Sequence, residues 1–245
     1  YWPGCRSLSR FPERIGAEMQ LLRTLGAEHI SLPGRDDVPT CCGGVLRTMG
    51  DKGGLQASAA GLQQYFNRQR TWVTPCSSCL QTVRQGYPSV GIEINAEVLH
   101  LGQYLLFFLD RLAELGRETM EAREAADSPT PTILVHSSCG LHRRLGREEP
   151  IARIIAAVTG QVPDALPPGP DKSPCCGAGD FHDLRRPTAA AQVADWSFRT
   201  ARPARGTWVV TTDITCVGAL QLGLPDEVRT FDLVGFLLEW LGPVL

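Results

Sequence analysis

Cys41-Cys42-Gly43 returns as Cys175-Cys176-Gly177, 134 residues further along the chain, and the single cysteines upstream, Cys5 and Cys139, are separated by the same 134 residues. Each lone cysteine therefore stands at the same distance from its pair. Downstream, Cys76-Ser77-Ser78-Cys79 is answered by Asp213-Ile214-Thr215-Cys216, now with an offset of 137. All nine cysteines fall in this duplicated frame. The chain reads as two copies of one thiolate-rich unit, and the copies differ chemically: the first has five thiols, the second four and a carboxylate.

Working outward from the cysteines, Thr71-Trp-Val-Thr74 reads as a strand that delivers Cys76 and Cys79 at its carboxyl end, with a helix start after it. Its counterpart is Trp208-Val-Val-Thr-Thr212. Tyr1-Trp-Pro-Gly-Cys5 reads as a strand running into a tight loop, matched by Thr132 to Val135 before Cys139. Alignment of the halves sets Tyr1 opposite Val135, so the natural chain is expected to begin upstream of Tyr1. Helices are predicted from Pro12 with Ile15, Met19, Leu22 and Leu25 on one face, over Gly54 to Arg68, Leu99 to Leu115, Pro150 to Val158, Ala189 to Arg202 and Phe231 to Trp240. Further strands are expected at His29 to Leu32 and Gly91 to Asn95, with loops over Gly34 to Thr40 and Pro163 to Pro174. This alternation predicts an α/β fold of two units with mostly parallel sheets, whose ligand-bearing loops lie at strand ends. The expected division is 1–123, a linker at 124–131, and 132–245.

The 245 residues carry 24 basic and 26 acidic side chains, a formal charge of -2, without a basic tract. Nucleic-acid binding is therefore not expected. The cysteine count is odd, adjacent pairs are awkward to bridge, and no signal peptide is expected, so reduced thiols in the cytoplasm are expected over a disulfide framework. The longest apolar run, Tyr104 to Leu109, is far too short to span a membrane.

Five thiols exceed the four needed by one structural zinc or one cubane cluster. Neighbouring cysteines diverge, so they suit different irons of a larger cluster better than one ion. The glycine after each pair lets the backbone approach the sulfurs, and backbone N–H groups there would donate to them. The plainer alternative is a zinc site with a spare buried cysteine. A thioredoxin-like dithiol at Cys76 and Cys79 leaves three further cysteines in register unexplained. No dinucleotide fingerprint is present, because Gly53-Gly54 and the glycines after the cysteine pairs lack its spacing.

These motifs resemble the cysteine-rich CCG domain, which occurs twice in the B-type subunit of heterodisulfide reductase. It also occurs in lactate-utilisation protein A and in the iron–sulfur subunits of glycolate oxidase and anaerobic glycerol-3-phosphate dehydrogenase. The resemblance spans nearly the whole chain and implies two Rossmann-like domains related by a pseudo-twofold. The first half is similar to the heterodisulfide reductase subunit through Tyr1-Trp-Pro-Gly-Cys5, Cys41-Cys42-Gly43 and Thr74-Pro-Cys-Ser-Ser-Cys79. By that resemblance Cys5, Cys41, Cys42, Cys76 and Cys79 hold a noncubane [4Fe–4S] cluster. The second half is more similar to lactate-utilisation protein A, through His136-Ser-Ser-Cys139, Cys175-Cys-Gly-Ala-Gly179 and Thr212-Asp-Ile-Thr-Cys216. There Cys139, Cys175, Cys176 and Cys216 hold an iron–sulfur cluster of unspecified type, or the site is zinc-filled or empty. Asp213 is either an oxygen ligand to a labile iron or a space-filling hydrogen-bond acceptor.

In heterodisulfide reductase two such clusters cleave a disulfide between them, whereas here one half alone has the full ligand set. The resemblance implies an oxidoreductase subunit that handles a disulfide or sulfur substrate or transfers electrons within a complex. The alternatives are an electron-transfer subunit of a lactate or glycolate oxidation complex, and a structural metal-binding assembly subunit. It implies partners too: a flavoprotein, a ferredoxin-like subunit with cubane clusters, or both. His136, His142 and His182 flank the second site, as cluster-tuning groups or as backbone partners. His29 and His100 read as structural. Arg47, Lys52, Arg143 and Arg144 either balance cluster charge or are solvated surface. Phe107, Phe108 and Trp240 are of the types that interfaces prefer, and peripheral membrane attachment through the last helix is a further option.

Overall fold

The structure, a computed structural model, describes residues 1–27, 30, 32, 41–145, 150–166, 173–199 and 203–242. Most of the strand expected at His29 to Leu32, His29 itself, and the loop over Gly34 to Thr40 lie outside the described residues. The chain forms two compact units, Tyr1–Tyr104 and Leu105–Leu245.

In the first unit, helix α1 (Gly4–Arg10) leads at once into α2 (Pro12–Thr24), which has proline in its first turn and buries Ile15, Leu21 and Leu22. The expected strand before Cys5 is reduced to one ladder contact: Trp2 N–H donates to Val73 O at 2.8 Å. Helix α3 (Gly44–Met49) follows the cysteine pair, and α4 (Lys52–Asn67) starts where Asp51 accepts from Gly54 N–H at 2.9 Å. Strand β1 (Thr71–Thr74) is where the sequence placed it and runs into α5 (Ser77–Gln81).

Strand β2 is Glu97–His100, parallel to β1 with Val73 opposite Leu99, and is not the predicted Gly91 to Asn95. The backbone of that earlier segment is engaged by side chains instead. Gln63 Nε2 donates to Glu93 O at 2.9 Å, and Asn67 Oδ1 accepts from Asn95 N–H at 2.8 Å. Helix α6 (Leu101–Leu105) then closes the unit, and Trp2, Phe66, Trp72 and Tyr87 form its buried aromatic core.

In the second unit, the helix predicted to stop at Leu115 is broken by a 3-10 turn at Leu106–Phe108 and then continues as α7 (Leu109–Ala125). Gly116 lies inside this helix: a Cβ there would sit 2.5 Å from Val158 Cα and O, so the glycine permits a close crossing with α8 (Ile151–Thr159). The four-stranded sheet has order β4-β3-β5-β6, with every pairing parallel. Its strands are β3 (Ile133–His136), β4 (Asp164–Ala165), β5 (Trp208–Thr211) and β6 (Arg229–Asp232). β4 is a two-residue edge inside the predicted loop, and β6 is unpredicted. Helices α9 (His182–Arg185), α10 (Pro187–Phe198), α11 (Ile214–Gly223) and α12 (Leu233–Leu241) complete the unit.

Helix α12 begins later than predicted, where Asp232 Oδ1 accepts from Gly235 N–H at 3.0 Å. It buries Leu233, Val234, Phe236, Leu237, Trp240 and Leu241. This corrects one expectation: Trp240 is core and not an interface residue, and the apolar face of α12 packs on the sheet. Phe107, by contrast, is 71% exposed. Among the described residues no helix is long and apolar enough to cross a membrane.

Candidate metal centres

In the first unit three loops bring five thiols together. Cys5 is on α1, Cys41 and Cys42 precede α3, and Cys76 and Cys79 lie at the carboxyl end of β1. The sulfurs form a chain of contacts: Cys5 to Cys41, Cys41 to Cys42, Cys42 to Cys79, and Cys79 to Cys76. Among the described residues no three His, Cys, Asp or Glu side chains form a site for a single metal ion. The hydrogen bonds from Cys42 and Cys5 hold the Cys41 thiol well below its ordinary pKa. The same bonding, followed by burial, raises Cys5, Cys42 and Cys79. Binding of a metal to these sulfurs would displace thiol protons.

Backbone donors already point at this set. Gly43 N–H donates to Cys41 Sγ and Cys79 N–H to Cys76 Sγ, both at 3.4 Å. Gly43 has φ +77°, and its missing Cβ would stand 3.1 Å from Ser58 on α4. Gly177 repeats the device at φ +83°, where a Cβ would lie 2.7 Å from Ala190 O. Only glycine satisfies both the left-handed turn and the close approach of a helix.

The second unit repeats the plan with one substitution. Cys139 follows β3, Cys175 and Cys176 follow the proline-rich loop, and Cys216 lies in the first turn of α11. Gly177 N–H donates to Cys175 Sγ at 3.4 Å, as Gly43 does to Cys41, and the Cys176 and Cys216 sulfurs are 3.2 Å apart. The bond from Cys175 and then burial raise the Cys139 thiol, against the opposing pull of Arg144 and Arg143. Asp213 sits where Cys76 sits. Its backbone angles, φ -111° and ψ 118°, match the -109° and 113° of Cys76, and each side chain caps the helix that follows. Asp213 Oδ1 accepts from Thr215 N–H at 2.9 Å. One carboxylate oxygen is therefore occupied in holding the helix.

The sequence left the role of His136 open and read His100 as structural; the contacts of both are now defined. His136 is buried; Nε2 lies 3.0 Å from Pro174 O and Nδ1 3.1 Å from Thr211 Oγ1. A carbonyl only accepts, so Nε2 carries the proton. Burial lowers the His136 pKa to about 4. In the first unit His100 does similar work: Nδ1 accepts from Gly102 N–H, which leaves Nε2–H to donate to Pro75 O at 3.1 Å. Each ring thus fixes the proline that immediately precedes a cysteine. The structural reading of His100 did not name Pro75 as its partner, and sequence reading missed Tyr87, whose hydroxyl donates to Cys42 O at 3.0 Å. The signal available was the proline before Cys76 and before Cys175, each offering a carbonyl beside a ligand.

The surroundings of the two sets differ. Arg47 is half-buried across Gly86, and Lys52 is exposed. At the second set Cys175 is exposed and opens into a cavity of about 570 Å³ lined by Arg144, His182, Arg185, Arg186 and Val193.

Two stretches, residues 1–84 and 133–221, match the family described as the cysteine-rich CCG domain. The chain belongs to this family. It is 26% identical over 229 residues to lactate utilization protein A 1 of Bacillus mycoides (strain KBAB4), covering 89% of this chain and 88% of that protein. It is 24% identical over 211 residues to lactate utilization protein A of Geobacillus thermodenitrificans (strain NG80-2), covering 82% and 80%. It is 24% identical over 229 residues to the B-type subunit of fumarate reductase (CoM/CoB) of Methanothermobacter marburgensis, covering 94% of this chain but 42% of that protein. Membership of the CCG family implies iron–sulfur cluster binding. The donor set fits: linked, largely buried thiols with backbone N–H groups aimed at sulfur are what a thiolate-held cluster requires.

Proposed function

We propose that this chain is the iron–sulfur electron-transfer subunit of a multi-subunit oxidoreductase acting on a 2-hydroxyacid. The observation that carries this reading is Asp213. Cleaving a disulfide between two equivalent clusters needs two equivalent ligand sets. Here the place of the fifth thiol is taken by a carboxylate with one oxygen committed to capping α11. The likeness to the lactate utilization proteins along most of both chains supports the same reading.

Cys5, Cys41, Cys42, Cys76 and Cys79 would hold a noncubane [4Fe–4S] cluster, and Cys139, Cys175, Cys176 and Cys216 a second cluster. Bound there, the clusters would accept and release single electrons. The chain's own residues hold the ligand loops and bury Cys42, Cys76 and Cys79 of the first set. At the second, Arg144, Arg185 and Arg186 face the open side of Cys175 with positive charge, beside His182, which suits an acidic partner surface or an anionic substrate. A purely structural metal site would be closed on every side; the exposure of Cys175 speaks against it.

The test is anaerobic isolation of the native complex, with iron and sulfide analysis and paramagnetic resonance spectra. The expected result is a co-purifying flavoprotein, and clusters that are reduced when a 2-hydroxyacid is added and are indifferent to a heterodisulfide. A spectrum altered by the heterodisulfide alone would overturn the electron-transfer reading. Zinc without acid-labile sulfide would overturn the clusters themselves.

A further inference from the structure

Trp2 is 2% exposed, yet its indole Nε1 has no hydrogen-bond partner among the described residues. An indole nitrogen can only donate, and a buried donor left unpaired is costly. Two other buried indoles are paired: Trp72 Nε1 donates to Phe66 O at 3.2 Å and Trp240 Nε1 to Val158 O at 3.1 Å. The orphaned Nε1 borders the first thiol set. Gly4 has φ +77°, and the space its side chain would fill lies 3.2 Å from Cys79 Sγ, 3.8 Å from Trp2 Nε1 and 3.9 Å from Cys76 Cβ. Gly4 thus leaves open a volume shared by a buried donor without an acceptor and two cysteines of the set.

Resting on the reading that the first half holds an iron–sulfur cluster, we propose that the Trp2 indole N–H donates to a sulfur of that cluster and so holds its reduction potential up. The duplicated frame supplies an internal comparison. The residue 134 positions on is His136, also a buried ring donor, but its Nε2–H is committed to Pro174 O. The first half alone has a ring donor in this position that is not already taken. A hydrogen bond to a cluster sulfur favours the reduced, more negative state. Trp2 is a positioning residue: it acts on potential and not on bond making.

The experiment compares three anaerobically loaded proteins: the unmodified chain, Trp2→Phe, and a chain with β-(3-benzothienyl)alanine placed at position 2 alone, which keeps the indole's shape and replaces N–H by sulfur. Iron and sulfide content is measured, and the reduced-to-oxidised ratio of the first cluster is read by paramagnetic resonance at one fixed ambient potential. The ratio should fall roughly five- to tenfold in both variants, the net scale of one ordinary hydrogen bond, and the signal of the unmodified chain should show coupling to nitrogen-15 introduced in tryptophan. Should Trp2→Phe lose its cluster through the smaller ring, the benzothienyl chain decides. A fully loaded benzothienyl chain with an unchanged ratio overturns the inference. Absence of iron and sulfide from the unmodified chain overturns the cluster reading instead.

Discussion

At the scale of single residues, the two glycines after the cysteine pairs give unequal predictions. Both have positive φ, but a methyl group at position 43 meets the Ser58 side chain whereas one at 177 meets the Ala190 carbonyl. A side chain yields where backbone cannot. Gly177→Ala should therefore cost more, on the order of 2–3 kcal/mol against about 1 kcal/mol for Gly43→Ala, from backbone strain and overpacking. Thermal unfolding of the metal-free chain measures both. His136 gives a prediction in pH. It is held neutral by burial, with Arg143 opposing and Asp213 favouring its protonation, so its pKa is about 4 in the folded chain against an ordinary 6.5. Between these values the unfolded chain binds a proton that the folded chain refuses, and stability falls as pH drops from 6.5 to 4. Below 4 no further loss comes from this group. The loss should reach on the order of 3 kcal/mol, and His136→Gln should flatten that part of a pH-dependent denaturation series.

At the scale of elements, strands β1, β3 and β5 were legible because each is a short β-branched or aromatic run that stops at a cysteine-bearing or aspartate-bearing loop. β2 and β6 were not, because Glu97-Val-Leu-His100 and Arg229-Thr-Phe-Asp232 carry no turn signal of their own and gain strand identity only from the partner ladder. Helix α7 was cut short at Gly116, since glycine followed by charged residues reads as a helix end; the charges are its solvent side, and the glycine faces Val158. Gly116→Ala should force α7 away from α8 and cost roughly 1–3 kcal/mol or more. The accompanying rise in hydrogen exchange should be confined to these two helices. The nine thiols of the candidate site were visible as a pattern in the chain. The groups that aim them were not, because His100, Tyr87 and Thr211 reach their targets across 25, 45 and 75 residues respectively.

At the scale of the whole molecule, duplication lets one half report on the other. Asp213→Ala removes the cap of α11 and should cost about 1 kcal/mol, while Asp213→Asn, which still accepts from Thr215 N–H, should restore most of it. Neither should alter the iron and sulfide bound by the first half. Cys79→Ser should do the reverse, lowering metal content without weakening α11. Loss of first-half iron in Asp213→Ala would mean that ligands are shared between halves.

The uneven burial of the thiols also makes the chain its own occupancy gauge. Of the nine, Cys175 alone is exposed; the others are half-buried or buried. A bulky maleimide offered briefly to the metal-free chain should add one adduct, carried by the peptide that contains Cys175. Once that sulfur is bound to iron it no longer offers a lone thiolate to an electrophile, and the adduct should vanish in proportion to filling. Mass spectrometry of the intact chain would then read how full the second site is, molecule by molecule, without a spectrum of the metal at all.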